Sequence, residues 1–517
     1  MSKMKHTYWP LAAALALGAC ATAPTAPDSA VSARVDGTRS WPSPAGVSAT
    51  AVPRDLWRLY DSAALARGAG APAPTAHDGA VWAGVEGTLF AAETAGVSAT
   101  AVPRDWWRLY DSAALDSLVT EALANNRTLA GAAANLEQVR AGLTEARSAL
   151  LPSTTATAGG RYVRDPSFAP GDVETDVYSL GFEMAYEVDI FGRVSSSVEA
   201  ARQDAAAAEA AYQAASLMVA GETARAWIDY CAGNIQLETA QSNYGLQEET
   251  LSLTRTLFDA GRGIRLDVVQ AEAALRRAEA DIPSVRAARD AALFRLARLT
   301  GQTPREMSHA VPACESMPQL VSLLPTGESA ALLARRPDVR QAELQLAGAA
   351  ARVGIATANL YPSVSIGGSI TTASMGGTGD LFNEDGVSFG LGPLISWNFP
   401  NVAASRARLK AAEAGVDGAL ANFDEAILTA LEEAEVALTN YAAEKERYAA
   451  LEASLAAAEE AAELSRTRYR IGTANFLSVL DAERTLIETR TALAQSEAAK
   501  ASAEINVFMA MGGGWAD

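Results

Sequence analysis

The sequence predicts an α+β membrane protein with two internally repeated halves, in which very long helices adjoin a sheet of four membrane-crossing strands. Three observations support this fold class: a lipoprotein-type signal at the amino terminus, a repeat at an offset of 210 to 211 residues, and helical stretches longer than those of globular proteins. Alanine is abundant, and aromatic residues make up only 7% of the chain. This composition is typical of long helices in close contact.

The chain begins with a short secretory signal that ends in a lipidation motif. Lys3 and Lys5 precede an apolar run that is too short to span a bilayer, and the run closes on Leu-Gly-Ala-Cys at Cys20. This ending resembles a bacterial lipobox, in which the cysteine is acylated and becomes the first mature residue. We therefore predict a signal peptide at 1–19 and lipidation at Cys20, and the alanine that follows favours the outer membrane.

Residues 20–102 are rich in Ala, Pro, Thr, Ser and Gly without a sustained apolar period, which predicts a flexible tether. The tether contains a tandem duplication of fifty residues: segment 45–65 recurs at 95–115, with Leu56 replaced by Trp106. Glycines and prolines follow the first copy, whereas apolar residues at helical spacing follow the second. The first copy is interpreted as surplus tether, with a second binding module as the alternative.

A larger repeat divides the rest of the chain into halves, which we place at 103–324 and 325–514, with a tail at 515–517. The sequence around Pro152 is matched around Pro362, and two further landmarks recur in the same order at almost the same offset. We therefore predict that each half contains a helix, two strands and then two very long helices. The two prolines mark the passage from helix to strand, because proline cannot continue a helix interior.

Each half contains a pair of segments with strand signals. Their residues alternate in polarity or are β-branched, and turn-rich connectors link the members of each pair. With roughly 9–14 residues, the segments can cross a hydrocarbon core when tilted. A soluble surface hairpin explains the same pattern equally well. Trp397, at the end of the last segment, is expected at the membrane interface, where indole is favoured.

The long helices end in two glycine turns. No proline interrupts the stretch from Val402 to Ile471, and a continuous helix of that length would reach roughly 100 Å. Its alanine seams suit close packing in a coiled-coil-like array. Gly261 and Gly472 break the two long paths at equivalent places, and each path is expected to fold back as a hairpin because glycine adopts turn conformations that other residues resist.

A single chain is too small to close either structure. Four transmembrane strands are too few for a barrel, and an open sheet in lipid leaves unpaired backbone groups at its edges. The long helices have only narrow seams and would associate side by side into a tube. The sequence therefore predicts a ring of several copies, with eight strands in a dimer or twelve in a trimer.

Charge and residue content exclude several function classes. The formal charge of −19 argues against nucleic acid as a partner, since phosphates call for a basic surface. His309 and Cys314 are too few for a metal site, and the sequence holds no nucleophile elbow, phosphate loop or HExxH motif. We therefore predict no catalytic residue, no metal and no cofactor. Cys231 and Cys314 are expected to be buried thiols rather than a disulfide.

Four segments carry a family resemblance: the helix-forming stretch 105–129, the motif LLARRPDVRQAELQ from Leu332, and the corners YEVDIFGR and SWNFPN. They are similar to the outer-membrane efflux channels, the TolC-like family, and above all to its lipoprotein branch that serves resistance–nodulation–division (RND) pumps. The likeness spans about residues 103–514. It implies a homotrimer with a twelve-stranded β-barrel in the outer membrane and a twelve-helix α-barrel through the periplasm. Trp106 and Trp107 are expected to pack outside this tube.

The resemblance implies passive export. A periplasmic adaptor and an inner-membrane RND-type pump would deliver small molecules, and this chain would conduct them across the outer membrane. Within the same class, a type I secretion exit channel is the alternative, but the lipobox and the RRPDVR motif favour the pump. A non-conducting periplasmic scaffold or adaptor is the alternative from another class.

The resemblance also implies a periplasmic gate at the two helix turns. Asp267 and Asp481 match acidic positions that line the entrance in the family, and Arg265 is the expected cationic partner. In a trimer such carboxylates form rings that attract cations. Ala474 stands where relatives often carry a charged or polar residue. This difference weakens the expected interaction at the second turn of the gate. A solvated side chain in a turn is the alternative for each residue.

Overall fold

The computed structural model describes residues 98, 100, 102–164, 174–311, 314, 316–321, 323–325, 333, 335–375, 377–383, 386–397, 399 and 402–514. The predicted signal peptide, Cys20, nearly all of the predicted tether with its first repeat copy, and the tail lie outside these residues.

The two halves contain the same order of elements. The first half consists of a 3-10 helix (Trp106–Tyr110), α1 (Ala113–Asn125), α2 (Arg127–Ser148), β1 (Ser153–Arg164), β2 (Glu174–Val188), α3 (Arg193–Asp259), α4 (Arg265–Thr300) and α5 (Pro304–Ala310). The second half consists of α6 (Pro337–Ala358), β3 (Ser363–Met375), a 3-10 turn (Thr378–Asp380), β4 (Val387–Ser396), α7 (Val402–Arg470), α8 (Phe476–Ala510) and a 3-10 turn (Gly512–Gly514). The predicted repeat of helix, two strands and two long helices is therefore present in the fold.

Polar caps and glycines determine where the helices begin and end. Asn126 separates α1 from α2, and its side chain accepts hydrogen bonds from two N–H groups in the first turn of α2. The same amide donates to the carbonyl of Leu299, near the end of α4, at 2.9 Å. Gly301 and Gly512, 211 residues apart, follow α4 and α8 in the left-handed conformation with φ of 73° and 76°. The repeat is thus visible in the backbone itself.

The longest helix of the first half, α3, is the packing centre of the helices. It has 67 residues and packs against α2, α4, α6 and α8. Small residues allow this close approach: a Cβ at Gly221 would lie 2.3 Å from Sδ of Met509, and one at Gly233 would lie 2.8 Å from Cα of Arg289. None of the described helices is both long enough and apolar enough to cross a membrane.

The four strands form one antiparallel sheet in the order β1-β2-β3-β4. The central pair, β2 and β3, joins the two halves, with Phe182 opposite Ile370. In the described part of the chain, β1 and β4 pair on one side only and leave the outer edges of the sheet open.

Cys231 and Cys314 form a disulfide, which corrects the prediction of two buried thiols. Their Cα atoms lie 5.2 Å apart, and the bond joins the middle of α3 to the segment between α5 and α6. The sequence separation of 83 residues hid this pairing, because only the packing of that segment against α3 brings the cysteines together. Oxidising compartments outside the cytoplasm permit such a bond.

The amino-terminal end of the described fold is packed by an aromatic stack. Trp106 is fully buried and stacks on Phe508 of α8, with ring centroids 4.8 Å apart. Trp107 is half-buried, and its Nε1–H donates to Asp116 at 3.1 Å. Trp106 is the single residue by which segment 95–115 differs from segment 45–65, and its indole completes this stack.

The RRPDVR motif has a structural role at the start of α6. Arg336 is only 7% exposed and donates from Nη1 to the carbonyl of Ala510 at 2.9 Å. Its guanidinium also pairs with Asp338 at 2.7 Å and with Glu433 of α7 at 2.5 Å. One arginine therefore links the beginning of α6 to α7 and to the end of α8.

Candidate functional site

The two faces of the sheet differ in polarity. Successive residues of a strand point to opposite faces, and the pairing register assigns each residue to one of them. Large apolar side chains share one face, here called the apolar face: Leu180, Phe182, Met184, Tyr186, Val364, Ile366, Ile370, Val387, Phe389, Leu391 and Ile395. On β4, Phe389 is 84% exposed and Leu391 77%. An exposed apolar surface of this extent is typical of a face that meets lipid.

The opposite face, here called the polar face, carries mainly small polar residues. On β3 it consists largely of Ser363, Ser365, Gly367, Ser369 and Thr371. Glu183 lies on it near the middle of β2, opposite Ser369, and Leu394 of β4 is an apolar exception. A sheet that is apolar on one face and polar on the other is typical of membrane barrels with a wet lumen. The structure therefore favours the membrane interpretation over the soluble hairpin.

Aromatic side chains gather where the strands meet the helices. Phe191, after β2, stacks on Tyr361, before β3, with ring centroids 4.7 Å apart. Trp397, after β4, lies 5.1 Å from Phe399 and donates its Nε1–H to the carbonyl of Leu360 at 3.3 Å. All four rings are exposed. Aromatic residues in such positions are typical of the boundary between lipid and water.

The corners between helices and strands contain the two predicted prolines. Pro152 and Pro362 lie directly before the first residues of β1 and β3, after α2 and α6 have ended. On the return from β2, Asp189 accepts hydrogen bonds from the N–H groups of Val194 and Ser195 at 2.9 and 2.8 Å. The carboxylate thereby caps α3. This cap was not predicted from the sequence, although the aspartate stands in the YEVDIFGR motif.

The two long hairpins, α3/α4 and α7/α8, end in turns of the same backbone geometry. Gly261 and Gly472 adopt the left-handed conformation, with φ of 70° and 80°. In each turn, the N–H of the next residue donates to the carbonyl five positions before it, at 2.8 Å.

The two turns lie against each other. Nη2 of Arg262 lies 3.2 Å from the position that a Cβ on Gly472 would take. Behind the turns, four helices share an apolar cluster, here called the tip cluster: Leu251, Leu257, Val268, Ala271, Leu275, Tyr469, Phe476 and Val479. The ends of the two hairpins are therefore packed as one unit.

The predicted gate carboxylates have different surroundings. Asp267 is half-buried in the first turn of α4. Burial of Tyr469 in the second hairpin raises the pKa of its hydroxyl, and the nearby negative charge of Asp267 raises it further. Asp481 is exposed and pairs with Arg484 at 2.8 Å. Arg265 is exposed. Its role as the cationic partner stays a prediction, and the arginine that reaches the second turn is Arg262.

Tyr469 and Arg484 were not predicted from the sequence to lie at this site. The repeat aligns Tyr469 with Phe258, so a hydroxyl present in only one half was the available signal. Among the described residues, no three His, Cys, Asp or Glu side chains are arranged to hold a metal ion.

Comparison with known proteins identifies a family and several relatives. The family model of outer membrane efflux proteins matches residues 118–302 and 329–513, once in each half. The toluene efflux pump outer membrane protein TtgI of Pseudomonas putida is 30% identical over 403 residues, which cover 77% of this chain and 85% of TtgI. The cation efflux system protein CusC of Escherichia coli is 27% identical over 402 residues, which cover 77% and 86%. The solved outer-membrane channel OprN gives a TM-score of 0.78 at 33% identity and covers 83% of this chain and 97% of OprN.

Proposed function

Because this chain belongs to the outer membrane efflux protein family, we propose a specific arrangement for it at the outer membrane. The chain is an outer-membrane channel that forms the exit duct of an efflux system. The observation that carries the arrangement is the sheet, with its apolar face, its polar face and its two open edges in the described residues.

Three copies of the chain complete the duct. Each copy supplies four strands, and twelve strands close a barrel when β4 of one copy pairs with β1 of the next. The apolar face then meets lipid and the polar face lines the lumen. The same association joins the long helices of the three copies into a tube that extends through the periplasm.

The duct works with a periplasmic adaptor and an inner-membrane pump of the RND type. It conducts passively and catalyses no reaction. By their names, TtgI belongs to a toluene efflux pump and CusC to a cation efflux system. Relatives with such different cargoes support a duct that conducts what its pump delivers and leaves selection to the pump.

The hairpin tips form the periplasmic gate. Gly261 and Gly472 provide the turns, and three copies of Asp267 and Asp481 surround an aperture that attracts cations. Arg265 pairs with a carboxylate of a neighbouring hairpin. The contact between the two turns and the nearness of Asp267 to Tyr469 support this placement.

Acyl chains on Cys20 anchor the mature protein to the outer membrane. The lipobox supports this modification, and removal of the signal peptide 1–19 makes the cysteine the first residue. Residues 20–102 form the tether that leads to the first structural half, and the first copy of the duplication is surplus length.

Planar-bilayer recordings of the purified full chain test the duct. We expect ion conductance from a detergent-extracted trimer that dissociates to single chains on heating, with the trimer mass measured by native mass spectrometry. A single chain that salt or lipase releases from membranes, and that does not conduct, would instead support the periplasmic scaffold.

A further inference from the structure

A buried polar group lies behind the tip of the two hairpins. The side chain of Glu483 on α8 is fully buried. Arg466 of α7 donates to its carboxylate from Nε at 2.7 Å. Two residues of α3 donate as well, Thr250 from Oγ1 at 2.6 Å and Gln247 from Nε2 at 3.2 Å. These four residues, here called the polar layer, join the second hairpin to the first.

Apolar packing encloses the polar layer on both sides along the helices. On the tip side lies the tip cluster, to which α8 contributes Val479. On the other side lies a cluster of Leu486 of α8 with Ala458 and Ala462 of α7. Because apolar contacts exclude water from both sides, the Glu483 carboxylate depends on its three donors.

The bonds of the polar layer restrict how the helices can align. Nη2 of Arg466 and Oε1 of Gln247 are buried without a hydrogen-bond partner in the described structure, so the layer already lacks some of its possible bonds. Sliding or rotation of α8 would remove Glu483 from its donors and leave a buried charge unpaired. Buried polar residues in helical cores fix register for this reason.

The equivalent pair of the first hairpin has a different environment. Arg255 and Glu272 stand 211 residues before Arg466 and Glu483, but their charged atoms are 4.0 Å apart and their side chains are 55% and 43% exposed. A helical hairpin of this type therefore forms without a buried pair. Glu483 of the second hairpin is buried because this hairpin packs against α3, which supplies the donors Thr250 and Gln247.

We propose that the polar layer positions the second hairpin against the first and so holds the aperture in its resting geometry. Asp481 lies two residues before Glu483 on α8, so any movement that breaks the layer also moves Asp481 and the Gly472 turn. Glu483 acts as a positioning residue through the helix it fixes. This inference rests on the proposed gate at the hairpin tips.

The variant Glu483→Gln tests the layer with little change in volume, and Glu272→Gln is its matched control in the repeat. In planar bilayers, we expect Glu483→Gln to raise the open fraction roughly tenfold or more, the change that corresponds to one lost charge-assisted hydrogen bond. The control should conduct like the unmodified protein. A resting conductance of Glu483→Gln equal to that of the unmodified protein overturns the proposal.

A second variant separates positioning from folding. The double change Glu483→Leu with Arg466→Met replaces the ion pair of the polar layer by apolar residues, and proteins of other folds tolerate such a replacement of a buried ion pair without loss of stability. We expect trimers that resist heat as well as those of the unmodified protein, but with hairpin tips that are less well fixed against each other. Arg262→Cys and Thr473→Cys provide one reporter cysteine in each turn. A short bismaleimide should cross-link these cysteines several-fold more slowly in the protein with the double change than in the protein whose polar layer is unmodified.

Equal cross-linking rates in a stable trimer overturn the proposal. This readout requires no conductance. If the unmodified protein fails to conduct, the proposed channel function fails while the role of the polar layer is still measured.

Discussion

The two halves of this chain share their elements but are held together by different means. In the first half a disulfide joins Cys231 of α3 to the segment after α5, and the position 211 residues later is Ala442. In the second half Glu483 is fully buried and its partner Arg466 is 18% exposed, whereas the side chains of the equivalent pair in the first half are 55% and 43% exposed.

The comparison separates local from non-local causes. The glycine turns have the same geometry in both halves because a turn depends on a few adjacent residues. The arginine and glutamate pairs have the same spacing, but only one is covered by other helices. Burial therefore depends on the neighbouring helices, and a duplicated sequence acquires different roles where these neighbours differ.

The largest expected effect comes from removing the covalent link of the first half. Replacing Cys231 and Cys314 by serine should lower stability by roughly 4–5 kcal/mol, because the bond closes a long loop in the unfolded chain. Thermal unfolding of the purified protein measures this change, and a reducing agent should lower the Tm of the unmodified protein in the same way. An unchanged Tm under both treatments would contradict a stabilising disulfide.

The next largest effect should distinguish the two ion pairs. Arg466→Ala leaves the fully buried carboxylate of Glu483 uncompensated and should cost about 3–5 kcal/mol. Arg255→Ala removes an exposed partner and should cost less than about 0.5 kcal/mol. Both values come from denaturant or thermal unfolding, and equal losses for the two variants would show that burial does not separate the pairs.

A third difference between the halves should depend on pH. Burial raises the pKa of Glu504 on α8 to about 7, although the charge of Lys500 and the hydroxyl of Tyr110 act in the opposite direction. The equivalent position of the first half is Leu293. The folded state therefore binds a proton more tightly than the unfolded chain, in which the carboxyl has its ordinary pKa of 4.5.

Stability should accordingly fall as the pH rises from about 4.5 to 7 and then level off, a loss of about 3 kcal/mol in all. Burial raises the pKa of the facing Tyr110 and Tyr441 above the ordinary tyrosine value, so both hydroxyls titrate above this window. Glu504→Gln should remove this part of the pH dependence and stabilise the protein at pH 8. Tm values of both proteins across the window check this, and parallel curves would exclude Glu504 as the cause.

The smallest expected effect concerns the feature that the halves share. Gly261→Ala and Gly472→Ala should each lower the free energy of unfolding by about 1–2 kcal/mol. Both glycines adopt the left-handed backbone conformation, which a residue with a Cβ resists. An added Cβ meets nothing within 4 Å at Gly261 and only the flexible end of Arg262 at Gly472. The two losses, measured by thermal unfolding, should therefore agree closely, and a large difference would show that the turns are not equivalent.

Features that depend on nearby residues could be predicted from the sequence. The hairpin turns follow from the glycines at matching positions, and the strand pairs follow from alternation and from turn-rich connectors. The faces of the sheet could be assigned only with the register, since a shift by one residue would place Phe389 and Leu391 on the polar face.

Features that depend on distant residues were missed. Cys231 and Cys314 are 83 residues apart, and the burial of Glu483 requires Thr250 and Gln247 from a helix more than two hundred residues earlier. Local patterns carry no information on such contacts. The gate role of Arg265 stays a prediction, because it depends on contacts with a neighbouring copy of the chain.

The open strand edges of β1 and β4 bear on how the protein is made. A newly exported chain that enters lipid alone leaves two rows of backbone groups without partners, so insertion and association have to occur as one event. Biogenesis then depends steeply on the local abundance of the chain. At low abundance, unassembled copies persist with edges that can pair wrongly, and helper factors that shield those edges would raise the yield more than a faster export of the chain.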